Sequence, residues 1–409
     1  MVVVAVAAAF GLVMFLASRD VSLWLALLVG TGVVGLLSPM GLPSFMSAFF
    51  GGLLSPLTIQ LVAAVLLISG LGRVMKENGD LELAVSSLVS LVPRPKLLTM
   101  LLPAVIGTIN VTGGAIMSAP MVEENGKALG LDRTSQAAVN LFFRHIAYFV
   151  YPLHTSLIIL SEVLAIPKQS IILSNVLPTL AGTVAAYWLY FRRVDHSPAG
   201  QVEERDTLFH LKKFLLGFSP VLVILALVLF FDVPFYLAIA AGLALALVRN
   251  IQAGNKGSAL ANRLKELFRG WINYKLGLTI LSLMLFKSVV EASGVTNRLA
   301  ELLLRYGIPL PILVISLSLL ISYILGTHMA AAGLLAPLFA PLFPPAALIP
   351  YTALFFVCIM LGYLVSPLHL CLVLTNQYFE VPYEKALRKL AQPMLAMLVA
   401  VVLQLLFFL

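Results

Sequence analysis

The chain has 409 residues, 61% of them hydrophobic and 11% charged, with a mean hydropathy of +1.03 and a formal net charge of +8. That composition excludes an ordinary soluble globular domain, in which about a quarter of residues are charged, and indicates a polytopic membrane protein. Cys358 and Cys371, both inside apolar runs, exclude a disulfide framework and lack metal-site spacing.

Apolar runs fall at 2–17, 21–37, 56–72, 170–191, 214–231, 233–248, 270–286, 308–325, 348–365 and 390–409. Each approaches or reaches the roughly 20 residues that cross about 30 Å of hydrocarbon. No basic residue precedes the first run, and Ser18-Arg19-Asp20 makes a poor cleavage site, so this run is expected to stay as a helix. After the third run comes a short amphipathic stretch, 81–92. Residues 96–122 then read as a helix to about Ile106, a polar Gly-rich centre from Gly107 to Gly114, and a second helix ending near Pro120. Arms of ~10 residues reach only ~15 Å each, so they meet near mid-bilayer and return to the same side as a re-entrant hairpin.

Residues 135–165 form a predicted broken helix. Its centre, Tyr148-Phe-Val-Tyr-Pro152-Leu-His154, places a proline and a histidine in an apolar run. Proline removes a backbone donor, and an ionisable group in a bilayer marks a functional position. The polar stretch 194–213 reads as a cytoplasmic linker that separates a first half, 1–193, from a second, 214–409. The second half repeats the pattern, with an amphipathic stretch 296–307, a hairpin 312–342 turning at Gly326-Thr327-His328, and a broken helix 348–379. Segment 253–269 is apolar on one face and basic on the other, as an interfacial helix is.

The second broken helix carries Tyr363-Leu-Val-Ser-Pro367-Leu-His369, identical to the first motif at five of seven positions and 215 residues further on. Gly79 and Gly294 share that offset. The tips Gly107-Thr108-Ile109-Asn110 and Gly326-Thr327-His328-Met329 lie 219 apart. Five crossings per half is an odd number, so the second half is predicted to insert upside down. The expected fold class is therefore an all-α polytopic membrane protein, an inverted repeat of two five-helix halves, each with a re-entrant hairpin and a broken helix. In this topology one side holds 20 of the 26 Lys and Arg residues, the other holds Lys168, Arg298 and Arg305, and Arg144, Lys275 and Lys287 fall within spans. The basic side is cytoplasmic, which puts both termini outside.

Two hairpin tips meeting at membrane depth imply a cavity. Their helix ends suit an anion, and freed carbonyls and hydroxyls suit Na⁺. The candidate substrate-binding residues are Thr108, Asn110, Thr112, Gly113, Thr327, His328, His154, Thr155, Ser366 and His369; the candidate coupling-ion residues are Thr108, Asn110, Thr327 and Asn376. Arg144 is either an anion ligand or a snorkelling charge. Glu162 is either a coupling carboxylate or an interfacial partner of Lys168. All six aspartates fall in predicted loops.

The layout, the Gly107–Asn110 and Val111–Gly114 segments, Gly326-Thr327-His328 and the two Pro-Leu-His motifs resemble the ion transporter superfamily. That group includes dicarboxylate/sodium symporters and gluconate permeases. Within it the chain is most similar to a prokaryotic family of ~400-residue membrane proteins of unknown function. Dicarboxylate carriers of this group use Ser-Asn-Thr at their tips, so their binding residues carry over only to Asn110 and Thr112. The resemblance implies an elevator mechanism and a homodimer in the cell inner membrane.

The expected function is cation-coupled transport of a small organic or inorganic, carboxylate-like anion. Na⁺ is the candidate coupling ion, with no other cofactor, no nucleic-acid partner and no catalytic residues. The alternatives are a proton-coupled carrier or channel using membrane histidines, and an intramembrane enzyme. The enzyme reading lacks a His-Glu-x-x-His motif and an Asp-rich pair. The topology predicts that cysteines introduced at Ser197 and Ser258 label only from the cytoplasm and one at Ser170 only from outside; Ser197 and Ser170 reacting from one face would sink the inverted repeat.

Overall fold

The computed structural model describes residues 2–19, 21–108, 114–192, 194, 206–231, 233–252 and 265–408. Among these there is no strand, and the fold is all-α with many apolar helices. The first half comprises α1 (Val2–Ser18), α2 (Leu23–Leu37), α3 (Gly41–Leu54), α4 (Pro56–Glu77) and α5 (Asp80–Leu91). It continues with the hairpin helices α6 (Pro95–Thr108) and α7 (Gly114–Ala128), the broken pair α8 (Arg133–Ile146) and α9 (Thr155–Leu164), and α10 (Lys168–Phe191). The second half comprises α11 (Thr207–Phe230), α12 (Phe235–Gln252), α13 (Tyr274–Ala292) and α14 (Val295–Tyr306). It ends with the hairpin α15 (Leu310–Leu325) and α16 (His328–Phe339), the broken pair α17 (Leu348–Leu364) and α18 (Leu370–Phe379), and α19 (Tyr383–Phe408). Among the described residues, α4, α10, α11, α17 with its leading turn, and α19 are long and apolar enough to cross a membrane.

The 215-residue offset holds in the backbone. Helices α5 and α14 match at that offset, as do α9 and α18. Gly79 and Gly294 both take the left-handed conformation before their helices, with φ of 74° and 72°. Ala165 and Glu380 close α9 and α18 with φ of 53° and 55°, a conformation uncommon outside glycine.

Three details depart from the sequence reading. Helix α3 was not expected; its Gly, Ser and Pro residues mask a 14-residue apolar helix. Helix α7 runs through Pro120 to Ala128, so Glu123, Glu124 and Lys127 sit on a helix and not in a loop. Asp80 does not lie in a loop: it opens α5 and is buried. The interfacial stretch 253–269 lies outside the described residues up to 264, and its last residues form one wide helical turn, Leu267–Trp271.

The helices pack in two groups. Helices α1–α5 and α11–α13 form one, with α13 against α2, α3 and α4, α12 against α4, and α11 against α5. Helices α6–α10 and α15–α19 form the other, in which α9 packs on α16 and α18 on α7, so each broken helix leans on the hairpin of the opposite half. Helix α17 is apolar all round and buried from Tyr351 to Gly362, as a helix without a polar face must be. Helix α8 is buried from Ser135 to Ile146 although it carries Gln136, Asn140, Arg144 and His145. Its polar residues face protein, the usual place for such groups at membrane depth.

At the basic end, Asp80 ties α5 to α11 and α12. Its carboxylate lies 3.0 Å from Arg249 Nη2, and Arg249 also donates to Ser219 Oγ at 2.8 Å. Asn78 donates to the Ala246 carbonyl at 2.8 Å. Burial pushes the Asp80 carboxyl above its ordinary value, against the opposing pull of Arg249 and the Asn78 hydrogen bond. A carboxyl raised in the fold stabilises most when protonated, and that contribution is lost as pH rises through its folded value. The two partners therefore differ. Asp80→Asn should leave the melting temperature nearly unchanged, because Arg249 keeps its hydroxyl partner and access to water. Arg249→Met strands a buried carboxylate and should cost roughly 3 kcal/mol, recovering as pH falls; equal losses in both variants would contradict this asymmetry.

Candidate functional site

Both helix breaks form closed turns. In the first, His154 N–H donates to the Tyr151 carbonyl at 2.9 Å, and His154 caps α9. In the second, Ser366 N–H donates to Tyr363 at 3.1 Å and His369 N–H to Ser366 at 3.0 Å, with His369 capping α18. Each turn brings its own tyrosine and histidine together: Tyr148 and His154 stack at 4.6 Å between centroids, and Tyr363 and His369 lie at 3.9 Å. His328, from the second hairpin tip, joins them, 4.4 Å from the His154 ring and 4.7 Å from the Tyr363 ring. His145, on α8, lies 4.8 Å from the His369 ring and 5.1 Å from the Tyr148 ring. Four histidines and two tyrosines thus form one continuous aromatic cluster in the protein interior.

A cavity of about 240 Å³ opens beside this cluster. Its walls include Gly107 and Thr108 from the first tip, Arg144, His154, Thr155, His328 and Cys371, while α4 closes it with Ile68, Leu71, Gly72 and Met75. A second cavity of about 360 Å³ shares Gly72, Thr155 and His328 with the first, and adds Thr327, Arg73 and Lys76. Arg144 is buried, and its Nε and Nη1 have no hydrogen-bond partner among the described residues. Both ring nitrogens of His154 are likewise buried without a partner among them. These are costly groups to leave unsatisfied, about 1–3 kcal/mol each and more for a charge.

The structure places the sequence candidates unevenly. Thr108, His154, Thr155 and His328 line the first cavity, and Thr327, Thr155 and His328 the second. Thr108 Oγ1 donates to the Val105 carbonyl at 2.7 Å. Ser366 is spent on structure, donating to the Tyr323 carbonyl at 2.6 Å and accepting from Leu368 N–H. His369 belongs to the aromatic cluster and is not among the lining residues of either cavity. Asn376 lines a separate pocket with Gln377 and Glu380. Asn110, Thr112 and Gly113 lie outside the described residues. Glu162 pairs with Lys168 at 3.2 Å beside a small cavity lined by Gln60 and Phe235.

Several site residues escaped the sequence reading. Asn140 joins three helices: its amide accepts from Ser118 on α7 at 2.6 Å and donates to Thr375 Oγ1 on α18 at 3.1 Å. Ser156 Oγ lies 2.6 Å from His328 Nδ1, joining the first broken helix to the second hairpin. Cys371, which lacked metal-site spacing in the sequence, stands with His145 and His369 within 4.8 Å, ligand atom to ligand atom. A polar residue in an apolar helix was the available signal for each.

Residues 3–408 match the family model described as a protein of unknown function, DUF401. The chain belongs to this family. No curated protein matches it. Its fold is similar to the crystal structure of the YdaH transporter from Alcanivorax borkumensis, with a TM-score of 0.58 and 18% identity over 96% of this chain and 97% of that one. At that identity the likeness shows a shared fold. In this DUF401 protein the fold seats Arg144 through a glycine. A Cβ on Gly107 would meet the Arg144 carbonyl oxygen at 2.2 Å, and the Gly107 carbonyl already accepts from Tyr148 Oη at 3.0 Å. Gly107→Ala should therefore lower stability by about 1–3 kcal/mol in thermal melts, whereas Gly51→Ala, with nothing within 4 Å, should not.

Proposed function

We propose that the protein is a cation-coupled secondary transporter of a small carboxylate-like anion, working in the cell inner membrane by an elevator-type mechanism as a homodimer. The observation that carries this reading is Arg144. A buried guanidinium with unpartnered donors, at a cavity between two helix breaks and two hairpin tips, awaits an anionic ligand. The second cavity supports it: Arg73 and Lys76 surround the approach, and positive walls concentrate anions. The basic ends of α4 and α12 lie on the cytoplasmic side in the inverted topology, with both termini outside, so this conformation is inward-open. Glu162 and Lys168 then close the outer side. A cavity bounded by α4 and Val221 of α11 on one wall and by the opposite helix group on the others fits a moving body against a fixed one. The fold likeness to a transporter and the predicted opposed halves support reading the chain as a relative of the ion transporter superfamily, and a carrier needs no catalytic residue.

Na⁺ is the proposed coupling ion, held by tip hydroxyls, Asn110 and helix-end carbonyls. A second reading, proton coupling, is favoured by His154, whose unpartnered ring nitrogens face His328. A thermal-shift screen of small carboxylates and sulfonates, with and without Na⁺, tests the core proposal. A ligand at 100 times its Kd adds about 2.7 kcal/mol of stability. That gain should vanish in Arg144→Gln and shrink by about 1–3 kcal/mol in Asn110→Ala or Thr327→Ala. Stabilisation equal in wild type and Arg144→Gln would place the site elsewhere. Uptake into proteoliposomes should follow an inward Na⁺ gradient and survive His154→Gln with His369→Gln; uptake driven only by acid outside, and lost in that variant, would give the role to the histidines. Counterflow of labelled substrate separates a carrier from a channel.

A further inference from the structure

Beside the proposed anion site, the histidine cluster contains a second arrangement with its own chemistry. His145 is fully buried, and its Nδ1 lies 2.7 Å from the Leu141 carbonyl. A carbonyl only accepts, so Nδ1 carries the proton and Nε2 presents a lone pair. That nitrogen is buried without a partner among the described residues. His369 repeats the arrangement, with Nδ1 turned to the Leu364 carbonyl at 3.4 Å and Nε2 again buried and unpartnered. Two acceptor nitrogens cannot satisfy each other, although their rings are only 4.8 Å apart. Cys371 Sγ completes the group: it and one ring nitrogen from each histidine lie within 4.8 Å of one another. A thiol has a single proton and can satisfy one of the two nitrogens at most.

We propose that His145 Nε2, His369 Nε2 and Cys371 Sγ form a binding site for a thiophilic divalent cation of the Zn²⁺ kind. A cation takes all three lone pairs at once and removes both orphaned acceptors. Imidazole fixed through its far nitrogen by a carbonyl is the usual state of a ligating histidine. The ligand set, two nitrogens and one sulfur, selects Zn²⁺ over Mg²⁺, Ca²⁺ or Na⁺. Tetrahedral bonds of about 2.0–2.1 Å to nitrogen and 2.3 Å to sulfur need ligand atoms about 3.3–3.6 Å apart. The present spread of up to 4.8 Å therefore closes by a little over 1 Å on binding. On binding, the Cys371 S–H bond breaks, its proton passes to solvent and a metal–sulfur bond forms, so affinity rises with pH. Of the three ligands Cys371 lines the 240 Å³ cavity, which leaves the fourth coordination position open to it.

The sequence repeat strengthens the assignment. Cys371 stands 215 residues after Ser156, as His369 does after His154. Where the first half places a hydroxyl that meets His328, the second places a soft ligand beside two free imidazole nitrogens. Arg144 adjoins His145 in the chain and opposes a bare cation. The thiolate reduces the charge of the bound Zn²⁺ from +2 to +1, and an anion in the cavity offsets the remainder.

The test uses purified full-length protein with any affinity tag removed, in reduced form and titrated with Co²⁺. Expected are one Co²⁺ per protomer, a thiolate-to-cobalt band in the near ultraviolet, tetrahedral bands in the visible, and displacement of all of them by Zn²⁺. Cys371→Ser should abolish the near-ultraviolet band and weaken Zn²⁺ binding at least about tenfold, while melting like wild type without metal. His369→Gln should weaken Zn²⁺ similarly, and Cys358→Ser should change nothing. No saturable metal uptake in wild type, or unchanged spectra in Cys371→Ser, would overturn the site. Neither readout needs the anion to bind, so failure here leaves the transport reading standing.

Discussion

The constraint on which the rest of this structure depends is that non-helical backbone at membrane depth must still have its polar groups satisfied. Two proline-marked breaks in apolar helices free carbonyls and N–H groups where lipid offers nothing. The chain answers with local turns and borrowed partners. His154 N–H returns to Tyr151, His369 N–H to Ser366, and the Ser366 hydroxyl spends itself on Tyr323 in the neighbouring hairpin. Satisfying the backbone in this way needs protein on every side of the break. That need explains why α8 and α17, the arms leading into the breaks, are buried all round, and why each second arm leans on the hairpin of the other half.

The same enclosure gives the polar side chains their meaning. In an open membrane helix, Arg144 would reach for the interface. On α8 it is held in the interior, with Gly107 fitted against its own carbonyl. The tip glycine and the arginine are therefore one packing unit, and a volume change at either moves the other. The aromatic cluster differs in kind. Tyr148 and Tyr363 cover the faces of His154 and His369. The stacking fixes ring planes while leaving both His154 nitrogens and His369 Nε2 without a partner among the described residues, and the proposed sites are built on such nitrogens.

Much of this was legible in the sequence, for physical reasons. Proline and histidine rarely enter an apolar run for packing alone, and the helix pairs α8/α9 and α17/α18 part at the two Pro-Leu-His motifs, while Gly79 and Gly294 precede α5 and α14. Helix α3 was not legible, because Gly41, Pro43, Ser44 and Gly52 resemble a loop when only propensity is read. Proline likewise gave the wrong end for α7; Pro120 sits inside a helix that runs on to Ala128. Asp80 reads as a loop residue because aspartate near a helix start is commonly exposed, and its partner Arg249 is 169 positions away. The site suffered from the same distance. Asn140 with Thr375, Ser156 with His328, and Cys371 with His145 are all contacts between halves, and no spacing within one half contains them.

Those contacts between halves also bear on how such a protein could move. Directional bonds tie α7, α8 and α18 together, through Asn140 to Thr375 and Tyr378 to Glu123, and tie α9 to α16 through Ser156 and His328, while the chain itself joins α8 to α9. Breaking several hydrogen bonds together is expensive, so the proposed motion of the site carries these helices together. Against it, α4 presents Ile68, Leu71, Gly72 and Met75. Apolar contact is non-directional, and a smooth face containing a glycine can be exchanged for the next one along the helix without leaving a polar group unpaired. Firm polar ties within the moving unit and apolar contact across its boundary are what the proposed elevator requires, and the wall at α4 is where sliding would begin.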